Sequence, residues 1–257
     1  MIADIIKHKP TRLFVFFACF FVANALIAES IGGKIFVLEA WLGLPVHTFT
    51  LMGQSGLSFS LTCGVLLWPL EFVMTDIVNE YYGKKAVKMI SWVAVALISY
   101  AFLMFYISIG TPPADWWVVS KTAEGVPNFQ HAFSAVFGQG MGIIIGSITA
   151  FLVAQIVDVT VFHKIKQKTG EKHLWLRATG STVISQLVDS FIVLYVAFKL
   201  FGNWTWPQLI TVMCVNYAYK FTVAVLLTPV LYWIEKPIEK YLGKETAAQM
   251  KAAAMDK

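Results

Sequence analysis

The chain has 257 residues, of which 58% are hydrophobic and 14% charged, and no polar stretch is long enough to form a soluble catalytic domain. Its mean hydropathy is +0.67. Several apolar runs exceed the ~18 residues that indicate a membrane span. The composition therefore predicts an all-α, polytopic membrane protein with one domain. The net charge of +5 does not indicate a nucleic-acid partner, because the basic residues cluster where apolar runs end.

The three cysteines, Cys19, Cys63 and Cys214, each lie alone in an apolar run. No pair has the CxxC spacing of a redox or metal motif. We therefore expect neither a disulfide nor a metal cluster, and no cofactor.

The first predicted span covers about residues 13–29 and follows a basic N-terminal segment. Ala23-Asn24-Ala25 resembles a signal-peptidase site, but the apolar run continues beyond it, which favours an uncleaved helix. Residues 30–56 mix glycine, proline and polar residues, and they are predicted to form an extracytoplasmic loop.

Five further spans are predicted downstream, and the connection at 109–130 contains an aromatic pair, Trp116-Trp117, suited to the membrane interface. The fourth span would be ~45 Å long, so it should tilt or project from the bilayer. The five spans cover about 57–80, 87–109, 133–162, 176–200 and 208–234, and a charged tail, predicted to form a short cytoplasmic helix, follows at 235–257.

The distribution of lysine and arginine predicts the orientation. Six spans with short loops place both termini and the loops at 81–88 and 163–177 on one side of the membrane. These segments hold nearly all the basic residues. The positive-inside rule therefore predicts that both termini are cytoplasmic.

The second predicted span is unusual because it carries three acidic residues and an asparagine. They are Glu71, Asp76, Asn79 and Glu80. Acidic groups at membrane depth are costly, and they indicate a partner, a proton or a ligand. Glu80 precedes Lys84 by four residues, so we interpret it as half of an interfacial ion pair.

Small residues recur every fourth position along the fourth span, from Gly138 through Gly142 and Gly146 to Ala154, and the series ends at Asp158. Such a face allows another helix to approach closely. The neighbour could belong to the same chain or to the second copy of a homodimer.

A short pattern occurs on both the fourth and fifth spans, as Gln155-Ile-Val-Asp158 and Gln186-Leu-Val-Asp189. Residues three apart share a helical side, so each pair offers amide and carboxylate groups together. The two spans run in opposite directions, and the pairs could face each other. Gln186 and Asp189 should lie near the membrane midplane.

Three roles compete for these polar groups: transport of a small polar solute, catalysis, and helix packing. No nucleophile elbow or metalloprotease motif occurs, which leaves an aspartyl-protease pair of Asp158 and Asp189 as a remote alternative. Packing accounts poorly for the carboxylates, because we expect no basic side chain within the spans to neutralise them. Without a P-loop, transport would be facilitated, coupled to an ion, or driven by a separate subunit.

Three separated segments resemble the signature of the queuosine precursor transporter family, also described as vitamin uptake transporters. They are Thr75-Asp76-Ile77-Val78-Asn79-Glu80-Tyr81-Tyr82-Gly83-Lys84-Lys85, Gln155-x-x-Asp158-Val159, and Trp175-Leu176-Arg177 followed by Ser181-Thr182 and Ser185-Gln186-x-x-Asp189-Ser190. The resemblance implies a six-helix protein of the bacterial inner membrane that imports 7-cyano- and 7-aminomethyl-7-deazaguanine, and in some members queuine. A substrate-capture subunit of an ATPase-driven vitamin uptake system is the alternative.

A guanine-like base suits the polar residues of these segments. Its N1–H and exocyclic amine can donate to a carboxylate, and its carbonyl can accept from a glutamine amide. The candidate substrate-binding residues are Glu71, Asp76, Asn79, Gln155, Asp158, Gln186 and Asp189, and Phe72 and Phe151 are the candidates for stacking on the ring.

Overall fold

In the computed structural model, which describes residues 7–138, 141–170 and 173–254, helices dominate the chain, and the all-α fold class is confirmed. The helices are α1 (Lys9–Ile31), α2 (Leu38–Trp41), α3 (Trp68–Tyr82), α4 (Lys84–Gly110), α5 (Asp115–Val118), α6 (Phe129–Phe137), α7 (Met141–Thr169), α8 (Leu174–Leu194), α9 (Trp206–Leu242) and α10 (Lys244–Ala253). Short 3₁₀-helices cover Cys63–Leu66 and Thr122–Glu124, and a π-helix over Tyr195–Leu200 extends α8.

Within the described ranges, five helical segments are long and apolar enough to cross a membrane. They are α1, α4, α7 from Ile143 onward, α8 together with the π-helix, and α9. The protein is therefore a multi-pass helical membrane protein. The second predicted span is absent from this set because its helix is shorter than predicted.

The predicted helix over 57–80 is wrong in its first part, because α3 begins only at Trp68. Gly64 in the preceding 3₁₀-turn packs so closely on α1 that a Cβ atom there would lie 2.5 Å from the Ala28 carbonyl oxygen. Pro69 in the first turn of α3 lacks an N–H and favours a helix start. With 15 residues, α3 is ~22 Å long, shorter than the ~30 Å hydrocarbon core.

The predicted loop at 30–56 contains short strands. Strand β1 (Ile35–Val37) pairs antiparallel with β4 (Ser60–Thr62), and β2 (Phe49–Leu51) pairs with β3 (Gln54–Leu57). The paired strands β1 and β4 lie in the segment that connects α1 to α3.

The predicted fourth span is two helices instead of one. Helix α6 ends at Phe137, Gly138 leaves the helical conformation, and α7 continues to Thr169, past the predicted end. Glycine is a poor helix former, which explains the break. Gly142 lies outside the residues whose side-chain surroundings the structure describes. At Gly146, a Cβ atom would lie 3.1 Å from the Val193 carbonyl oxygen, so this part of the small-residue face packs within the chain.

Helix α9 extends beyond the predicted span at its C-terminal end. It begins after a capping box formed by Thr205 and Gln208 and runs for 37 residues, or ~55 Å. It is therefore longer than the ~30 Å hydrocarbon core, and Ile238 and Leu242 near its end still belong to the hydrophobic core. The first part of the predicted charged tail, up to Leu242, continues α9, and a separate helix begins at Lys244.

Several tertiary contacts bring the basic segments to one end of the bundle, which we call the basic end. The Tyr82 hydroxyl donates to the Pro10 carbonyl at 2.8 Å, and Gly83 lies against Ala254 of α10. Arg12 donates through Nε to the Tyr241 hydroxyl at 2.9 Å. The predicted grouping of these segments is thus reproduced; that the basic end faces the cytoplasm stays a prediction.

Helix α10 is attached to the end of α9 by Lys251, which pairs with Glu235 and Glu239. Burial alone disfavours the ammonium ion, but the hydrogen bonds that Lys251 donates to the two carboxylates outweigh this effect and raise the pKa of Lys251. The attachment therefore persists at neutral pH and would weaken only in strongly alkaline solution, above the ordinary pKa of lysine.

We expect Gly146→Leu to lower the melting temperature in detergent, because the leucine side chain would push α7 away from the end of α8. Gly110→Leu is the matched control, since nothing lies within 4 Å of a Cβ atom at Gly110. Equal melting temperatures for the two variants would contradict close packing at Gly146.

Candidate functional site

Helices α3, α7 and α8 line a narrow pocket inside the bundle, which we call the central pocket. Four of the seven predicted polar site residues and both predicted aromatic residues line it. Helix α3 contributes Trp68, Glu71, Phe72 and Thr75, α7 contributes Phe151, Ala154, Gln155 and Asp158, and α8 contributes Ser185 and Gln186. Their spacing of three or four along α3 and α7 is that of a single helix face.

Glu71 is anchored on one side only. Its Oε2 accepts a 2.6 Å hydrogen bond from Asn24 Nδ2, and Asn24 also donates to the Leu67 carbonyl at 3.1 Å. The other oxygen, Oε1, is buried and has no hydrogen-bond partner. The sequence places Asn24 in the second half of the first predicted span, but no local pattern indicates its contact with Glu71.

Asp158 is held by a hydroxyl group of α8. Ser185 Oγ donates to Asp158 Oδ1 at 3.0 Å, whereas the Ser181 hydroxyl donates to the Ala178 carbonyl of its own helix at 3.1 Å. A side chain of α8 therefore solvates the carboxylate that α7 contributes.

The two glutamines differ in how they are bonded. Gln155 Nε2 donates to Thr75 Oγ1 at 3.3 Å, which joins α7 to α3. Gln186 is buried and its Oε1 has no hydrogen-bond partner. Because a buried acceptor without a donor costs about 1–3 kcal/mol, Gln186 Oε1 and Glu71 Oε1 mark where ligand donors would be favourable.

Aromatic rings form the apolar walls. The Trp68 and Phe72 rings lie 6.0 Å apart between centroids, and Phe151 lies 6.2 Å from Phe21 of α1. Trp68 was not among the predicted site residues, although its position four residues before Phe72 places it on the same face of α3.

A second cavity adjoins the central pocket on the side toward α1. This cavity is also narrow, and it shares Trp68, Glu71 and Phe151 with the central pocket. Glu29 also lines this cavity and accepts a 2.6 Å hydrogen bond from Ser147. Together the two cavities form a polar region that reaches from α1 to α8.

Asp189 lies outside the lining of the central pocket, in a buried ion pair with Lys220 of α9. The expectation that no basic side chain within the spans neutralises a carboxylate is therefore wrong. Lys220 stands alone in the apolar run of the last span, and this isolation was the available signal. Its Nζ lies 5.1 Å from the centroid of the Trp68 ring, behind the pocket wall. Paired in this way, Asp189 does not form a carboxylate dyad with Asp158.

The predicted ion pair between Glu80 and Lys84 is also wrong. Glu80 turns inward to Arg177 of α8 and Lys166 of α7 instead. Asp76 lines a separate cavity nearer the basic end, and Asn79 is buried beside Glu80 on α3. The predicted site residues therefore lie in three places: the central pocket, the part of α3 between that pocket and the basic end, and the ion pair of Asp189 with Lys220.

We expect Lys220→Met or Asp189→Leu alone to destabilise the protein, because removing one partner leaves a buried, uncompensated charge; losses of about 3–5 kcal/mol are typical for buried pairs. The double variant Lys220→Met/Asp189→Leu should recover most of the melting temperature in detergent. Additive losses in the double variant would contradict the pairing.

Comparison with known proteins identifies the family to which the chain belongs. A family model described as "Putative vitamin uptake transporter" matches residues 62–234. The chain is 28% identical over 234 residues to a "Probable queuosine precursor transporter" of Bacillus subtilis (strain 168), covering 87% of this chain and 94% of that protein. It is 24% identical over 186 residues to a "Queuosine precursor transporter" of Escherichia coli (strain K12), covering 69% and 74%.

A third relative, from Haemophilus influenzae, is named "Probable queuosine precursor transporter" and is 25% identical over 177 residues, 66% of each chain. No solved structure shows a significant match. The family model spans well over half of the sequence, and its match includes the segment from α3 to most of α9 that builds the pocket. The chain therefore belongs to the vitamin uptake transporter family, and it is a transporter, not an enzyme.

Proposed function

We propose that this protein imports 7-deazaguanine precursors of queuosine across the bacterial inner membrane, with both termini in the cytoplasm. The substrates would be 7-cyano- and 7-aminomethyl-7-deazaguanine, with queuine as a further candidate. The names of the three relatives support this substrate class. The observation that carries the proposal is the central pocket, which combines two unpartnered buried acceptors with aromatic walls.

The two acceptors suit the edge of a guanine-like base. Such a base donates through N1–H and its exocyclic amine, and Glu71 Oε1 and Gln186 Oε1 can receive those protons. Asp158 already accepts a hydrogen bond from the Ser185 hydroxyl, and Asp189 is paired with Lys220. We therefore assign the recognition of this edge of the base to Glu71 rather than to Asp158 or Asp189.

The apolar walls suit the flat ring. Phe72 and Phe151 line the central pocket on different helices, α3 and α7, with Trp68 beside Phe72.

Uptake of labelled 7-cyano-7-deazaguanine into cells that cannot synthesise it tests the proposal. Glu71→Gln and Gln186→Ala should each reduce uptake about tenfold or more, as expected when a buried hydrogen bond to the substrate is lost. The matched controls Glu245→Gln and Gln249→Ala change exposed residues of α10 and should leave uptake unchanged.

Normal uptake by both pocket variants at native protein level would contradict the site. If purified protein binds the base but transports it only with a separate ATPase, the chain is instead the capture subunit of a vitamin uptake system.

Competition experiments test how the base is recognised. Adenine has an acceptor at N1 and no 2-amino group, so placing it against Glu71 would set two acceptors together and leave the carboxylate unpaired. Excess adenine should not inhibit uptake, guanine should inhibit weakly, and a 7-substituted deazaguanine should inhibit strongly. Equal inhibition by adenine and the deazaguanine would indicate stacking without readout of this edge.

A further inference from the structure

Helix α3 carries a second set of buried polar groups between the central pocket and the basic end. Asp76 is buried and its Oδ1 has no hydrogen-bond partner. Asn79, three residues further on, is 1% exposed, and neither its Oδ1 nor its Nδ2 has a partner. Three unsatisfied polar atoms within one helical turn are costly for a purely structural segment, because each has lost its hydrogen bonds to water without gaining a partner.

Asp76 lines a narrow cavity between α3, α8 and α9, which we call the inner cavity. Phe72 lines both the inner cavity and the central pocket. Thr182, which also lines the inner cavity, lies one helical turn before Gln186 of the central pocket on α8. The two cavities are therefore neighbours that meet at Phe72.

An ion-pair cluster lies one helical turn beyond Asp76, at Glu80. Arg177 donates to both Glu80 oxygens, through Nε at 3.0 Å and Nη2 at 2.6 Å. Lys166 Nζ lies 2.9 Å from the Glu80 carbonyl and 3.2 Å from its carboxylate. The side chains of all three are 1% exposed. The forked Arg177 contact is strong and directional, and the cluster fastens α3, α7 and α8 together.

Resting on the function proposed above, we propose that Asp76 and Asn79 form a second, inner binding station for the same base. We further propose that the Glu80–Arg177–Lys166 cluster is the gate that closes this station toward the basic end. The Asp76 carboxylate would accept from N1–H and the exocyclic amine, while the Asn79 amide would donate to the carbonyl. Rotation of Phe72 would pass the base from the central pocket to this station, and separation of Arg177 from Glu80 would release it.

Parallel binding and uptake measurements test the inner station. Asp76→Asn and Asn79→Ala should leave the Kd of the purified protein for 7-cyano-7-deazaguanine within about threefold, because the central pocket is unchanged, but reduce uptake about tenfold or more. Asn203→Ala, at an exposed position, is the matched control and should leave both values unchanged. If Asn79→Ala does not fold, the isosteric Asn79→Asp takes its place.

Each outcome separates this inference from the proposed function. A wild-type protein that neither binds nor transports the base would overturn the proposed function itself. Wild-type transport with unimpaired uptake by both variants would overturn the inner station alone. Loss of binding together with uptake would place Asp76 and Asn79 in a single site with the central pocket, which also overturns a separate station.

Thiol labelling tests the gate. In a variant with Cys19, Cys63 and Cys214 changed to serine, Asn79→Cys should resist a membrane-impermeant maleimide in both inside-out and right-side-out vesicles. Adding Arg177→Gln should allow labelling from the side that bears the basic end, and excess 7-cyano-7-deazaguanine should slow it. Thr182→Cys, in the inner cavity, is the second probe. Labelling that is equally fast with and without Arg177→Gln would overturn the gate.

Discussion

The ion pair between Glu80 and Arg177, with Lys166 beside it, fixes α3 against α7 and α8, and the central pocket lies between the same three helices. A buried carboxylate requires this kind of partner, because its desolvation is expensive and an uncompensated charge is strongly destabilising. Once Glu80 is fixed, the helical repeat brings Asp76 and Phe72 to successive levels on the same side of α3. The position of the pocket residues thus depends on a contact outside the pocket.

The partners of the buried polar residues separate those that hold the fold from those available to a ligand. Asp189 is neutralised by Lys220, and Asp158 is solvated by the Ser185 hydroxyl. Glu71 and Gln186 each keep one acceptor without a partner, and both acceptors belong to the central pocket. Native proteins rarely leave such atoms unpaired, so the unpaired atoms indicate the site better than the total number of carboxylates does.

Much of this arrangement was predictable from periodicity, and the rest depends on contacts between distant parts of the chain. Spacing alone placed Phe72 and Phe151 with the polar residues of α3 and α7, and both line the pocket. Hydropathy could not separate the irregular segment at 57–67 from α3, because both are apolar. The partners of Glu71 and Glu80 are Asn24 and Arg177, 47 and 97 residues away. Such pairings follow from tertiary packing, which a local pattern does not reveal.

The late start of α3 gives a physical reason for the pocket. Irregular backbone inside a membrane protein is tolerated where it is buried in protein or lines a cavity, and here the side chain of Asn24 satisfies the Leu67 carbonyl just before the helix. Glu71 falls in the first turn of α3, where the helix dipole favours a negative charge. Transporters commonly place their sites at such interrupted helices. A continuous helix over 57–80 would replace the 3₁₀-turn that packs on α1, and Glu71 would no longer lie at a helix N-terminus. The interruption therefore both stabilises the Glu71 carboxylate and leaves space beside it.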